Sequence, residues 1–345
     1  MFILNKEKFI TGNQAVIEGA LRIGANCYCG YPITPTTEIM QEWAKLHDND
    51  PERFKFIQSE DEISAGFNLI GAILAGSKAF TATAGPGHIL MQDAIAMAEA
   101  MRIPFMGVIM QRGGPSTGTV IYGQQEVTMA CYGGNGEGLR NVYSISSPQE
   151  AYSYTMQAFN AAWYTKFPSF VLGDGYVSKM QSKVVLHAPK INIKSKCLIG
   201  ETINPKNLRN CFNYENELNE NLSKNIDDWK KFADQIKESE SIMCNDADVI
   251  IVAHGIVSQA CKKAVKILRD KNVKVGLFRP ITLRPFDHQK LSHYAAKARK
   301  IIIVESSFGH LERIVKNRLY GLAKIEIYQK PVLPISAEEI IALFK

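Results

Sequence analysis

The sequence contains no apolar run approaching the roughly 18 residues needed to cross a membrane. Its first residues, MFILNKEKFITGN, lack the basic segment and long apolar segment of a secretory signal. The 40 basic and 34 acidic residues are spread along the chain, so no basic block marks a surface for nucleic acid or membrane. We therefore expect a cytoplasmic protein that binds neither nucleic acid nor membrane.

Cysteines are few and scattered. The seven cysteines form neither an even set nor CxxC pairs, which excludes a disulfide framework and the usual zinc or cluster ligand spacing. Cys27 and Cys29 would share one face of a strand, where buried free thiols are the simplest interpretation. Any redox metal should therefore lie outside this chain, and we expect no metal ligands within it.

Several catalytic motifs are absent or incomplete. The sequence has no HExxH, no GxGxxG after a strand and no GxSxG. GGPSTGT at residues 113–119 has phosphate-loop glycines but a threonine where that motif needs a lysine. GDGYVS at residues 173–178 resembles the start of a thiamine-enzyme diphosphate site, but the asparagine pair that should follow is missing, so we interpret it as a turn after a strand. The histidines are not paired at ligand spacing, and for three of them an active-site role and a simple loop position both stay open: His88, His254 and His310.

The alternation of helix-like and strand-like segments is the clearest positive signal. It runs from residue 11 to about 180 and is typical of a mostly parallel sheet covered by helices. A segment rich in Asn, Lys and Glu follows, and then a second, smaller set of alternating segments. We predict an α/β chain with a first domain at residues 1–185, a polar linker at 186–245 and a second domain at 246–345.

Local patterns predict individual elements. NQAVIEGALRIGA has a helical period and should end at Gly24, whereas KAFTATA, PFMGVIMQ, VYSIS and SFVLG read as short buried strands. Ser147, Pro148 and Glu150 predict the N-cap, first residue and capping-box acid of a long helix.

The stretch GYPITPTTEIM at residues 30–40 predicts a stiff loop before a helix. Pro32 and Pro35 hold residues 31–34 extended, and Thr34 would be the N-cap with Pro35 at the first helical position. Free backbone N–H groups and hydroxyls at a helix N-terminus suit a carboxylate or phosphate. A capped helix that binds nothing is the simpler alternative.

Two further segments could complete such a site. In FIQSEDEISAGFNLIGAILAG, Ser59 and Glu62 fit a capping box, and the small residues of the helix would let a backbone or a cofactor approach closely. Arg112 follows a predicted strand, at the end where open α/β sheets bind ligands, and its guanidinium could hold a carboxylate. A solvated loop arginine is the competing interpretation.

Together these segments resemble the α subunit of the 2-oxoacid:ferredoxin oxidoreductases, specifically the multi-subunit type that acts on 2-oxoglutarate or branched-chain 2-oxo acids. The matching segments are GYPITPTTEIM, EDEISAGFNLIGAILAG, TATAGPGHILMQ, QRGGPSTG and GLFRPITLRPF, whose order and spacing cover most of the chain. The resemblance implies that residues 1–185 form the pyrimidine-binding domain of a thiamine diphosphate site. It also implies that residues 246–345 form a domain similar to the C-terminal domain of transketolase.

The resemblance also implies roles for single residues. The family's catalytic glutamate, which hydrogen-bonds the aminopyrimidine ring, corresponds to Glu62, with Glu60 as the alternative. The threonine that contacts the substrate corresponds to Thr34, and the substrate-binding arginine to Arg112. The remaining cofactor contacts that we expect are Pro32, Ile33 and Gly85.

The implied reaction is oxidative decarboxylation of a 2-oxo acid, with 2-oxoglutarate favoured, to acyl-CoA and CO2, with electrons passed to ferredoxin. Branched-chain 2-oxo acids or pyruvate are alternative substrates, and a non-catalytic scaffold subunit is the alternative role. Thiamine diphosphate would be shared with a β subunit, Mg²⁺ and 4Fe–4S clusters would lie on partner subunits, and coenzyme A would be the co-substrate. Gamma and ferredoxin-like delta subunits are further candidate partners.

Overall fold

The computed structural model describes residues 6–200, 208–317, 319 and 321–344, and all elements below lie within them. The strands are β1 (Lys6–Thr11), β2 (Cys27–Gly30), β3 (Lys55–Gln58), β4 (Ala79–Thr83), β5 (Met106–Gln111), β6 (Asn141–Ser144), β7 (Ser169–Asp174), β8 (Gln181–Leu186), β9 (Ser239–Ile242), β10 (Val249–Val252), β11 (Val275–Pro280), β12 (Thr282–Arg284), β13 (Lys300–Glu305) and β14 (Lys324–Gln329). The helices are α1 (Gly12–Ile23), α2 (Thr37–Asn49), α3 (Glu62–Leu74), α4 (Pro86–Leu90), α5 (Gln92–Ala100), α6 (Val127–Tyr132), α7 (Pro148–Thr165), α8 (Gly175–Lys179), α9 (Glu215–Ile236), α10 (Val257–Asp270), α11 (His288–Ala295), α12 (His310–Lys316) and α13 (Ala337–Ala342).

The largest sheet in the described residues has the strand order β12–β6–β7–β5–β4–β2–β3. Its pairs are parallel except for the antiparallel edge pair of β12 with β6. Helices cover both faces, so β4 and β5 are buried along their whole length, as their continuous apolar sequences require. The predicted α/β class with a mostly parallel sheet is confirmed.

A second sheet has the order β14–β13–β10–β11–β9 and is parallel apart from the pair of β11 with β9. The chain connects the two sheets directly after β11, because the next strand, β12, lies at the edge of the first sheet and pairs with β6. One continuous apolar cluster includes Ile109 and Phe170 of the first sheet and Phe278 and Leu283 of the second unit. The two units therefore share a core.

The predicted helix boundaries hold where a cap is unambiguous. Helix α1 ends at Ile23, and Gly24 follows it in the left-handed region at φ 83°, where glycine is favoured. Ser147 caps α7, with Pro148 as the first helical residue. The side chain of Glu150, however, accepts hydrogen bonds from the N–H and hydroxyl of Ser146 and pairs with Arg279 instead of closing a capping box.

None of the helices in the described part of the chain is long and apolar enough to cross a membrane. Cys27 and Cys29 are buried on β2 with their sulfur atoms 3.9 Å apart, as the strand interpretation predicts.

Candidate functional site

The predicted site residues converge at one edge of the first sheet. Strands β5, β4, β2 and β3 are neighbours and run parallel, so the loops at their carboxyl ends meet. The predicted catalytic and cofactor-binding residues follow these strands: Pro32, Ile33 and Thr34 after β2, Glu60 and Glu62 after β3, Gly85 after β4, and Arg112 after β5. This is the edge at which open parallel sheets bind ligands.

The loop after β2 is fixed differently from our prediction. Helix α2 begins at Thr37, and the N–H and hydroxyl of Thr36 both donate to the carbonyl of Ile33, each over 2.9 Å. Because this turn precedes the helix, Thr34 as N-cap with Pro35 in the first helical turn was wrong. The side-chain amide of Asn13 donates to the carbonyl of Pro35 over 2.8 Å, which anchors the loop to α1.

Arg112 meets this loop. Its Nη1 donates to the carbonyl of Thr34 over 2.9 Å, and the residue is only 6% exposed, so the solvated loop arginine is excluded. Its Nε has no hydrogen-bond partner among the described residues. Gly85 allows the close approach, because a Cβ there would lie 2.7 Å from this Nε, and its φ of 52° also favours glycine.

The capping box of Ser59 and Glu62 was also wrong. Asp61 is the N-cap of α3, and its carboxylate accepts from the N–H of Ser64 over 2.7 Å. Aspartate caps as well as serine does, and here it moves the start of the helix past Ser59, whose hydroxyl accepts from Asn68 instead. The side chain of Glu62 is therefore not used in capping.

Glu62 is 4% exposed, and its Oε1 has no hydrogen-bond partner in the residues described. Burial raises the pKa of this carboxyl, while the positive charge of Arg112 acts in the opposite direction. A Cβ on Gly87 would lie 2.5 Å from the carboxyl carbon of Glu62 and closer still to its Oε1 and to the Thr83 hydroxyl. The absence of a side chain at Gly87 thus lets the Glu62 carboxyl and the Thr83 hydroxyl pack against its backbone.

Glu60, by contrast, is exposed and accepts a hydrogen bond from the hydroxyl of Ser64 over 3.1 Å. Its contact is made on the outer side of the first turn of α3. Of the two glutamates, the geometry brings Glu62 to Gly87 and Arg112.

Three residues of this site were not found by sequence reasoning: Thr83, Gly87 and Glu126. Thr83 and Gly87 lie in TATAGPGHILMQ, which we matched only as a segment. Glu126 carries no local signal at all. Its carboxylate accepts from the backbone N–H groups of Gly85 and Arg112 and contacts His88.

The other histidines lie elsewhere. His254 is fully buried between the two units, with its Nδ1 2.9 Å from the Ser144 hydroxyl. Burial, Arg279 and His310 lower the pKa of His254 to about 3, so its ring is neutral at ordinary pH. His310 accepts from the N–H of Thr128 over 3.4 Å, and burial lowers its pKa too.

The polar groups of the site suit a ligand ring that forms hydrogen bonds, next to a ligand group that is an anion. Among the described residues, Glu62 and Thr83 hold unpartnered buried oxygens beside Gly87, and a buried polar atom without a partner is uncommon unless a ligand supplies one. Arg112 presents a guanidinium, which suits a carboxylate. Within the described residues, no cluster of three or more His, Cys, Asp or Glu side chains could hold a metal ion.

Comparison with known proteins gives consistent matches. Residues 18–253 match the family described as pyruvate flavodoxin/ferredoxin oxidoreductase, thiamine diphosphate-binding, and residues 247–331 match pyruvate:ferredoxin oxidoreductase core domain II. The chain is similar to 2-oxoglutarate synthase subunit KorA of Methanocaldococcus jannaschii (35% identity, covering 90% of this chain and 92% of the relative). It is also similar to ketoisovalerate oxidoreductase subunit VorB of Methanothermobacter marburgensis (33%, covering 90% and 89%).

One solved structure resembles almost the whole chain. It is a 2-oxoglutarate:ferredoxin oxidoreductase from Magnetococcus marinus with 2-oxoglutarate, coenzyme A and succinyl-CoA bound, and it aligns with a TM-score of 0.88 at 26% identity. The alignment covers 99% of this chain, which spans 65% of the length of that one.

Proposed function

Because the chain belongs to the pyruvate flavodoxin/ferredoxin oxidoreductase family, we propose that it is the α subunit of a 2-oxoacid:ferredoxin oxidoreductase. With its partners it converts a 2-oxo acid to acyl-CoA and CO2 and passes electrons to ferredoxin. The names of KorA relatives and the ligands of the solved relative support 2-oxoglutarate as the substrate. The similar identity to VorB keeps branched-chain 2-oxo acids as the alternative.

The observation that carries this proposal is the buried carboxyl of Glu62, which has an unpartnered oxygen, packs against Gly87 and lies within the electrostatic influence of Arg112. Thiamine diphosphate, when bound, supplies the nucleophilic carbon and the electron sink. Glu62 would hold a proton at Oε1 and exchange it with the pyrimidine ring. Its raised pKa suits this, because a proton is exchanged most readily when the pKa of the group lies near the working pH.

Arg112 and the loop of Thr34 would bind and orient the substrate. The guanidinium already donates to the Thr34 carbonyl, which leaves its other N–H groups for the substrate carboxylate. The contribution is one of positioning, since neither group needs to move a proton. We expect Pro32, Ile33 and Gly85 to contact the cofactor.

The surface around Glu62 supports a partner subunit. Large apolar side chains are exposed on the elements that flank the site. Exposed apolar surface of this kind is typical of a protein–protein interface. They are Tyr31, Ile57, Ile63, Ile89 and Leu90. We propose that a β subunit covers this face and brings the diphosphate site, its Mg²⁺ and a 4Fe–4S cluster.

The further partners and the location are also proposals. Coenzyme A is the co-substrate, ferredoxin is the electron acceptor, and gamma and ferredoxin-like delta subunits complete the complex. The cytoplasmic location expected from the sequence stays a prediction.

The test is to purify the chain with its partners and to measure coenzyme A-dependent reduction of a viologen dye with 2-oxoglutarate, 2-oxoisovalerate and pyruvate in turn. We expect the highest kcat/KM with 2-oxoglutarate and no activity from the chain alone. Activity of the isolated chain would overturn the shared site, and inactivity of the complex with every 2-oxo acid would overturn the function.

A further inference from the structure

The carboxylate of Glu126 is a buried hub behind the candidate site. Glu126 is 4% exposed. Its Oε1 accepts from the N–H of Gly85 over 2.9 Å and from the N–H of Arg112 over 3.1 Å, and its Oε2 lies 2.9 Å from Nδ1 of His88. The three partners come from the loop after β4, the end of β5 and helix α4. One side chain therefore joins the segments that flank Glu62 and Thr34.

We propose that Glu126 is a positioning residue. It holds the Gly85 loop and Arg112 at a fixed spacing, so that the backbone expected beside the pyrimidine ring and the guanidinium expected to bind the substrate face the same site. This inference rests on the proposed function for its catalytic consequence. Glu126 itself touches neither Glu62 nor Thr34 in the contacts described above. It acts through the backbone of its partners.

A carboxylate is the side chain that suits this position. Its oxygens only accept when ionised, and each group that they meet can donate. Nδ1 of His88 donates to Oε2 in the tautomer that carries the proton on that nitrogen. Glutamine would have nearly the same shape, but it would remove the negative charge that the two backbone N–H groups share and would place an NH₂ group either against them or against Nδ1 of His88.

The segment that carries Glu126 is held from both sides. The backbone N–H of Glu126 donates to the side-chain oxygen of Gln111 over 3.2 Å, at the end of β5. Two residues earlier, Gln124 exchanges hydrogen bonds with the backbone of Ser306 in the second unit, over 3.2 and 3.0 Å, and donates to the carbonyl of His254 over 3.1 Å. The backbone of Glu126 is therefore fixed, and it cannot shift to restore a hydrogen bond that a substitution of its side chain removes.

Glu99 provides a matched control. It is also 4% exposed and lies near a buried arginine, Arg140, but the backbone N–H that it accepts from belongs to Glu137, outside the site. A loss of general stability should appear in Glu99→Gln as well as in Glu126→Gln. Only the second change should affect the site.

The first measurement uses the full chain alone and amide hydrogen exchange. Glu126→Gln should speed exchange at the amides of Gly85 and Arg112 by about tenfold, because a charged acceptor is replaced by a neutral one and both hydrogen bonds weaken. Glu99→Gln should do so at Glu137 and leave those two amides unchanged. Unchanged exchange at Gly85 and Arg112 in Glu126→Gln would overturn the proposal.

The second measurement uses the complex. Glu126→Gln should raise KM for the 2-oxo acid about tenfold and lower kcat by less, whereas Glu99→Gln should leave both unchanged. If Glu126→Gln does not fold, Glu126→Asp, which keeps the charge on a shorter side chain, should give the same pattern. Equal KM changes in the Glu126 and Glu99 variants would refute positioning. If the wild-type complex oxidises no 2-oxo acid, the proposed function fails, while exchange in the chain alone still decides whether Glu126 holds the two segments.

Discussion

Replacement of Gly87 by alanine should disable the site without unfolding the protein. Gly87 lies in helix α4 without a left-handed φ, so the backbone accepts alanine. The added Cβ would stand 2.5 Å from the carboxyl carbon of Glu62, whereas ordinary contacts begin at 3.4 Å. The Glu62 carboxyl must therefore move about 1 Å away from residue 87.

The magnitude follows from what that retreat removes. The atoms that the Cβ meets are the ends of the Glu62 and Thr83 side chains, which can move, so the free energy of unfolding should fall by only about 1 kcal/mol. Catalysis is less tolerant, because a displacement of about 1 Å in a catalytic group costs about 100-fold in rate.

The assay compares Gly87→Ala with Gly71→Ala in the reconstituted complex. Gly71 lies in α3, the same helix as Glu62, and a Cβ there meets nothing within 4 Å. Gly71→Ala should raise the free energy of unfolding by up to about 1 kcal/mol and leave turnover unchanged. Gly87→Ala should lower kcat/KM about 100-fold and weaken thiamine diphosphate binding, measured by titration of the apo complex.

Two outcomes would refute this reasoning. Turnover and thiamine diphosphate affinity close to wild type in Gly87→Ala would mean that the position of the Glu62 carboxyl against Gly87 does not matter for the cofactor. A collapse of stability in Gly87→Ala, with Gly71→Ala unaffected, would mean that the glycine serves packing alone.

Two further predictions concern stability and pH. Glu150→Ala should lower the free energy of unfolding by about 2–3 kcal/mol, because the guanidinium of Arg279 loses its hydrogen bonds to both Glu150 oxygens and keeps Glu240, at 3.3 Å, as its carboxylate partner. Urea titration should find the double variant with Arg279→Met closer to wild type, and equal losses would contradict this. Burial raises the pKa of Asp174 to about 7, and an acid whose folded pKa exceeds its unfolded value costs stability as pH rises from about 4 to 7. The free energy of unfolding, measured across that pH range, should fall in wild type relative to Asp174→Asn, whose side chain can still cap α8. The same pH dependence in both proteins would contradict this prediction.

The fold was largely predictable because its signals are local. Buried parallel strands read as short apolar runs, and α1 carries its own stop signal at Gly24. The pairing of β12 with β6 was not predictable, since three residues on an edge strand carry no signal for a partner so distant in the chain. The pair of Glu150 and Arg279 was missed for the same reason.

The site was predictable only in part. Local rules misplaced both helix starts, because Asp61 competes with Ser59 as a cap and Thr36 closes a turn ahead of α2. Arg112 was a candidate from its position after a strand, whereas the catalytic role of Glu62 came only from the resemblance. Glu126 could not be found, because its role depends on three backbone and ring donors that only the folded sheet brings together.

The most direct test of the central claim is the turnover of Glu62→Gln and Glu60→Gln in the reconstituted complex, by coenzyme A-dependent viologen reduction with 2-oxoglutarate. Glu62 is buried beside Gly87, and Glu60 is exposed two residues earlier on the same segment. If Glu62 serves the cofactor, Glu62→Gln should lose several orders of magnitude in kcat and Glu60→Gln should keep wild-type turnover. Intact turnover in Glu62→Gln would contradict the account and favour a scaffold subunit, and a loss confined to Glu60→Gln would assign the catalytic carboxylate to the other glutamate.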